Sequence, residues 1–191
     1  MKLYFNKLSP YARKVRVTAH EKSLMDRLEL HECDPWSDPP ELLVVNPLAK
    51  VPALLTDDGT LITESTAICR FLDQFGEGPK LVSGESWRVM ARLGLAHGVI
   101  DASFAIVIER RRPAAQQSND WIARQSRAIT RALPRLAIAD SRFDLGDITL
   151  ACALAYLNFR LPEIPWQTSR PDLARWLDQI NQRPSMRATA A

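Results

Sequence analysis

Cysteine is scarce: the 191 residues hold three, Cys33, Cys69 and Cys152, far apart and with no CxxC pair. An odd count without close pairs excludes a scaffold built on disulfides and argues against a zinc site. The three histidines, His20, His31 and His97, show no metal-ligand spacing to the cysteines, so no metal is expected. Cys69 and Cys152 lie inside apolar runs and read as small buried hydrophobes. No uninterrupted apolar run approaches the roughly 18 residues of a membrane-spanning helix. The opening MKLYFNKLSP lacks the apolar core of a secretion signal. The expectation is therefore a soluble, cytoplasmic protein that meets no membrane. Internal repeats and low-complexity tracts are also missing. The one basic run is Arg110, Arg111 and Arg112; a solvated helix end accounts for it better than nucleic-acid binding, so no nucleic-acid partner is expected.

What remains is an ordinary globular mixture, 46% hydrophobic and 25% charged, enough to bury a real core and incompatible with intrinsic disorder. The net charge of +3 conceals an asymmetry. Residues 1–79 carry nine basic and twelve acidic side chains, and residues 80–191 carry sixteen and ten. All six lysines lie within the first 80 residues, after which every basic residue is arginine. Such a shift predicts a domain boundary near residue 80.

The first 79 residues read β-α-β-(α)-β-β-α. Lys2–Phe5 is strand-like. Ser9-Pro10 opens a helix, with Ser at the N-cap and Pro at the first helical position. That helix places Tyr11, Ala12, Val15 and Ala19 on one face and Arg13, Lys14 and Arg16 on the other. Arg27 to Glu32 alternates as a strand with Leu28 and Leu30 inward. Glu41–Val45 reads as a helical turn stopped by Asn46-Pro47. Val51–Leu55 and Leu61–Thr63 form a hairpin about Asp57-Asp58-Gly59. Glu64-Ser65 opens a helix through Ile68, Phe71, Leu72 and Phe75, with Ser65 as N-cap. The remainder reads as helices only: Trp87 to Arg112, Trp121 to about Ala139 with Pro134 kinking or breaking it, a buried Asp147 to Asn158, and Asp172 to Asn181 started by Ser169 and Pro171.

Three features of the first domain carry chemistry if that domain is thioredoxin-like. The Ser9 hydroxyl at a helix N-terminus can donate to an anion, and the helix dipole adds to it. A thiol with an ordinary pKa of about 8.5 is lowered by such donors. The alternative is a plain N-cap. Val51-Pro52 interrupts strand pairing; with a cis bond the Val51 backbone is free to pair with a bound peptide, and the alternative is a proline without a role. Ser65 and the first amides of its helix offer a carboxylate site and Glu64 an ammonium site, against the alternative of a cap with an acidic neighbour. His97 and Asp101 stand four residues apart on one helix face, either an acid–base pair or a polar stripe.

In this order and spacing the residues resemble the cytosolic glutathione transferase superfamily, of the bacterial, serine-type kind. The resemblance rests on Ser9-Pro10-Tyr11-Ala12-Arg13-Lys14-Val15-Arg16, Asn46-Pro47-Leu48-Ala49-Lys50-Val51-Pro52-Ala53-Leu54 and Leu61-Ile62-Thr63-Glu64-Ser65-Thr66-Ala67-Ile68. In the second half it rests on Asp144-Leu145-Gly146-Asp147-Ile148-Thr149-Leu150-Ala151, and on Arg170-Pro171-Asp172-Leu173 through Trp176 to Arg183-Pro184-Ser185-Met186. It implies an α/β thioredoxin-like N-terminal domain over residues 1–79, a linker over 80–86 and an all-α C-terminal helical domain over 87–191. By the same resemblance Ser9 is the thiol-activating residue, Val51 before a cis Pro52 pairs with the cysteinyl backbone of glutathione, and Glu64 and Ser65 hold its γ-glutamyl end. Lys50 and Arg13 are helpers for the anionic tripeptide, and Tyr11, His97 and Asp101 line the electrophile pocket. The implied activity is conjugation of reduced glutathione, a co-substrate and not a cofactor, to a small apolar electrophile, in a detoxifying cytoplasmic homodimer. The rivals are a non-catalytic binding or regulatory relative and a glutathione-dependent peroxidase or reductase. Serine at position 9 argues against the last, since it cannot form a mixed disulfide. Two departures stand out: Ala49 where the family often has Gly, and Asp144 where it often has Ser or Thr. Asp144 with Asp147 still closes a capping arrangement.

Overall fold

The structure, a computed structural model, describes residues 1–82, 87–139 and 142–190. It divides into two compact units, Met1–Gly84 with Arg183–Ala191, and Glu85–Gln182.

The first unit is built on a mixed four-stranded sheet in the order β2-β1-β3-β4. β1 (Lys2–Phe5) pairs in parallel with β2 (Glu29–Glu32), and the crossover between them is α1 (Pro10–Glu21). β3 (Ala53–Leu55) runs antiparallel to β1, with Tyr4 opposite Ala53, and β4 (Leu61–Ile62) closes the expected hairpin on β3. Alternation along β1 divides its side chains between the faces. Tyr4 packs with Ala53 and with Leu42 of α2 (Pro40–Val45) on one face. Leu3 and Phe5 point to the other, where Arg16 of α1 lies 4.9 Å over the Phe5 ring. The β-α-β-α-β-β-α order read from the sequence is the order observed, with α3 (Ser65–Phe75) last.

The two long helices of this unit meet along a polar seam. Lys14, Thr18 and Lys22 recur every four residues on α1 and at its C-terminal cap, so they share one helix face. All three are 0% exposed. Each meets a residue of α3: Lys14 Nζ donates to Thr66 Oγ1 at 3.0 Å, Thr18 Oγ1 to Cys69 Sγ at 3.3 Å, and Lys22 Nζ lies 3.3 Å from Asp73 Oδ1. The pairs ascend together along both helices, so α1 and α3 run parallel. Lys22 also donates to Gly78 O and Pro79 O, at 3.2 and 3.0 Å. The Asp73 carboxylate accepts from the Leu81 and Val82 amides at 2.8 and 3.0 Å. Gly76 permits the close approach where the helices end: a Cβ there would lie 2.7 Å from both Cβ and O of Lys22.

This corrects the expected faces of α1. Lys14 is interior, and Arg13 and Arg16 are half-buried. The second neighbour of α1 is α9 (Pro184–Ala188), which the sequence reading assigned to the helical domain. Arg13 Nη2 donates to Met186 O at 3.2 Å and Arg16 Nη2 to Ala188 O at 3.3 Å. Glu21 receives Arg183 at 3.0 and 2.7 Å, and Ser185. Burial works to raise the Glu21 carboxyl, but the bonds from Arg183 and Ser185 outweigh it and hold it below the usual range.

The second unit contains α4 (Trp87–Glu109), α5 (Asn119–Ala132), α6 (Leu145–Arg160), α7 (Trp166–Ser169) and α8 (Pro171–Ile180). α6 is the centre, buried at twelve of its sixteen positions, as its nearly continuous apolar sequence predicts. It begins with the capping box expected of Asp144 and Asp147. Arg92 of α4 forks onto both carboxylates, reaching Asp147 Oδ1 at 2.7 Å. Burial first, then the neighbouring Asp144, push the Asp147 carboxyl upward against the pull of the Ala139 amide and Arg92. α4 is long and apolar enough to cross a membrane by length and composition, but within its unit it packs against α5 and α6.

Other expectations change in detail. Leu30 is 40% exposed because β2 is the outer strand of the sheet. Ser65 is the first residue of α3 and Glu64 the N-cap, since the longer carboxylate reaches the second and third amides. Ser169 ends α7, and Arg170 with Pro171 starts α8. Pro134 does stop α5, which passes into a 3₁₀ turn at Leu133–Arg135. Of the expected 80–86 linker, Leu81 and Val82 are tied to Asp73 of the first unit, and 83–86 lie outside the described residues.

Lys22→Met leaves Asp73 buried without its cation and is expected to cost about 3 kcal/mol, read as a lower urea midpoint at unchanged slope. Glu21→Gln tests the hold on α9. A carboxylate with a depressed folded pKa stabilises above its unfolded pKa of about 4.3, and that stability fades as pH falls through the folded value. The variant is therefore expected to lose about 1–2 kcal/mol at neutral pH, with the difference from the parent shrinking as the pH falls below about 4.

Candidate active site

Sheet topology brings three chain segments to one end of the first unit. β1 ends at Phe5, and the loop that follows delivers Ser9 to the start of α1. Because β3 is antiparallel to β1, its entry, Lys50-Val51-Pro52, lies at that same end. Because β4 is antiparallel to β3, with Leu54 opposite Ile62, its exit through Thr63 to Ser65 lies there as well. Parallel packing then sets the N-termini of α1 and α3 side by side. Two helix N-termini bring amides that have no partner within their helices, and positive partial charge, to one place, a setting suited to an anion.

Each segment is fixed from within. In the first, Asn6 O accepts from the Ser9 amide at 3.0 Å, Asn6 Oδ1 accepts from Leu8 at 3.0 Å, and Asn6 Nδ2 donates to Cys33 O at 3.0 Å. Ser9 is the N-cap, its Oγ accepting from the Ala12 amide at 3.2 Å. A hydroxyl used as an acceptor keeps its own proton to donate.

In the second, Asn46 is 2% exposed. Its Oδ1 accepts from Leu48 at 3.2 Å and its Nδ2 donates to Lys50 O at 2.8 Å. Between them Ala49 has φ +49°, a left-handed conformation that costs a residue with a Cβ about 1 kcal/mol or more. This is the position at which the sequence departs from the family's usual glycine. The Val51–Pro52 bond is cis. Val51 lies beyond the last β1–β3 pair and packs against Tyr4, Leu42 and Ala53. The Lys50 side chain is exposed.

In the third, Glu64 Oε1 accepts from the Thr66 and Ala67 amides at 2.9 and 3.1 Å, and the Ser65 hydroxyl donates to Glu64 Oε2 at 3.3 Å. The start of α3 thus already holds a carboxylate, the chain's own.

Four further expected residues are Arg13, Tyr11, His97 and Asp101. Arg13 points one guanidinium nitrogen at Met186 O. Tyr11 is half-buried in the first turn of α1. His97 and Asp101 lie on α4 in the second unit, with Nε2 3.6 Å from Oδ1. Sequence reasoning missed Asn46, which orders the turn into Val51, and Lys14, which reaches the first turn of α3. The spacing of Lys14, Thr18 and Lys22 is the signal that marks the second. Cys33, at the same sheet end, is raised in pKa by burial and then by Glu41, Asp34 and Glu32, which keeps it a thiol and a poor nucleophile.

Both halves of the chain match a known family. The family description "Glutathione S-transferase, N-terminal domain" fits residues 8–74, and "Glutathione S-transferase, C-terminal domain" fits residues 107–179. The chain is 33% identical over 199 residues to the uncharacterized GST-like protein YibF of Escherichia coli K12, covering 99% of this chain and 98% of that one. It superposes with TM-score 0.93 and 38% identity on a glutathione transferase family member from Pseudomonas fluorescens Pf-5 with bound glutathione, covering 99% and 98%. A glutathione S-transferase from Methylobacillus flagellatus KT, solved with glutathione bound, gives 0.88 and 33% over the same shares.

The strain at Ala49 is open to test. Ala49→Gly relieves the left-handed backbone and is expected to raise stability by up to about 1 kcal/mol, the gain being partly offset by added unfolded-state entropy. Thermal denaturation beside the parent measures it, and a loss of stability would contradict the strain.

Proposed function

The chain belongs to the glutathione S-transferase family, and from that premise we propose that it binds reduced glutathione and conjugates it to a small apolar electrophile. The observation that carries this reading is the convergence of Ser9, the Val51–Pro52 entry and the α3 N-terminus at one end of one sheet. In the proposed complex the free backbone of Val51 pairs with the cysteinyl residue of glutathione, as one strand pairs with another. Ser65 and the first amides of α3 take the γ-glutamyl carboxylate, and Glu64 turns to its ammonium. The carboxylate that α3 holds in the free chain supports that assignment. Lys50 stands as a solvent-exposed helper for the tripeptide's negative charge.

The cysteinyl sulfur then comes to the start of α1. There the Ser9 hydroxyl donates to it while the helix dipole favours its negative charge. Lowering a thiol from about 8.5 by two units requires roughly 3 kcal/mol, the sum that one charge-assisted hydrogen bond and one helix end supply. At neutral pH most of the bound sulfur is then thiolate. It attacks the electrophilic carbon and forms the carbon–sulfur bond as the leaving group departs with its electron pair. No covalent bond to the protein is made; the catalyst lowers a pKa and holds two reactants together. Leu8, 42% exposed beside Ser9, favours an apolar electrophile. The proposal includes a cytoplasmic homodimer, which sedimentation of the purified protein checks.

Titration calorimetry is expected to show glutathione binding between micromolar and low millimolar, with Ser65→Ala weakening it by about tenfold. No binding at several millimolar would remove the transferase reading. Ser9→Ala is expected to lower conjugation of an activated aryl chloride by about tenfold or more at pH 7, leave glutathione affinity within about threefold, and move the pH–rate profile to higher pH. Binding that persists with no conjugation in the parent protein would make this chain a binding relative.

A further inference from the structure

We propose that Lys14 is a positioning residue that makes the α3 N-terminus select a ligand with an ionised carboxylate; this deepens, and rests on, the glutathione reading above. Lys14 is 0% exposed and cannot itself touch a ligand in the mouth of the site. Its ammonium donates to Thr66 Oγ1 at 3.0 Å. The amide of that same threonine donates to a carboxylate oxygen, Glu64 Oε1, at 2.9 Å. One residue thus joins a buried cation to the place where α3 holds an anion.

Simple packing does not explain the residue. Burying an ammonium is costly, and an apolar side chain of similar length would fill a helix–helix seam without that cost. Because the ammonium is buried beside the first turn of α3, its field there is screened less than that of a surface charge, and it adds to the dipole of α3. An incoming γ-glutamyl carboxylate gains from that field. The same group as a neutral carboxamide does not, although it keeps the hydrogen-bond acceptor the amides need.

The test compares two ligands, glutathione and its analogue with the γ-glutamyl α-carboxylate replaced by a carboxamide, by calorimetry on the parent, Lys14→Met and Lys14→Arg. The parent is expected to prefer the acid by about tenfold or more. Lys14→Met is expected to reduce that preference at least about fivefold, chiefly by weakening the acid, and Lys14→Arg to retain it. A purely structural role would weaken both ligands alike, and that result, or an unchanged preference in Lys14→Met, overturns the proposal. Should Lys14→Met fail to fold, Lys14→Gln carries the same comparison, since its side-chain amide still donates to Thr66 without the charge. If the parent binds no glutathione at several millimolar, the glutathione reading itself falls and takes this inference with it. A parent that binds glutathione but shows no preference for the acid overturns this inference alone.

Discussion

The polar seam between α1 and α3 is the constraint on which the rest of the first unit depends. Two helices joined only by apolar side chains have some freedom to slide or rotate, because dispersion and hydrophobic contacts are weakly directional. Lys14–Thr66, Thr18–Cys69 and Lys22–Asp73 impose direction at three successive levels. Buried polar groups must be paired, so a shift of one residue in the register strands them all. The seam therefore fixes where each helix begins relative to the other, and both beginnings belong to the site.

Its lower end does a second task. Lys22 and Asp73 hold the chain as it leaves α3, through Gly78, Pro79, Leu81 and Val82. On the other flank of α1, α9 takes up Arg13, Arg16 and Glu21. α1 is consequently clasped on the sheet, on α3 and on α9. A helix held on three sides gives its N-cap little freedom, which suits a serine whose proposed work is to keep one proton within reach of one sulfur.

The second unit achieves order differently. Its centre, α6, is apolar almost throughout and is specified at its start by Asp144, Asp147 and Arg92. The raised Asp147 carboxyl records what that arrangement opposes: burial of two carboxylates beside each other, against one guanidinium and two backbone amides. Ordering here comes from hydrophobic burial, with the charged cluster fixing register.

Much of this was legible in the residues themselves. Ser9-Pro10, the Asp-Gly hairpin, the Asp144–Asp147 box and the stop at Pro134 act over three or four residues, so local chemistry alone decides them, and the element order followed from them. The three site segments were legible one at a time, each with a plainer alternative. What brought them together was strand direction, since only the antiparallel pairing of β3 with β1 and of β4 with β3 sets Val51 and Ser65 at the same end as Ser9. Lys14, Arg13 and Arg16 were set together on the face of α1 opposite its apolar one, because helical periodicity shows that a face is polar and not what covers it. The partners that bury them, Thr66 and the 186–188 backbone, lie 52 and about 170 residues away in sequence. The sequence by itself determined most of the elements, the caps at Ser9 and Asp144, and the family. Tertiary structure alone decided which charges are interior, because burial is a property of neighbours brought in from distant parts of the chain.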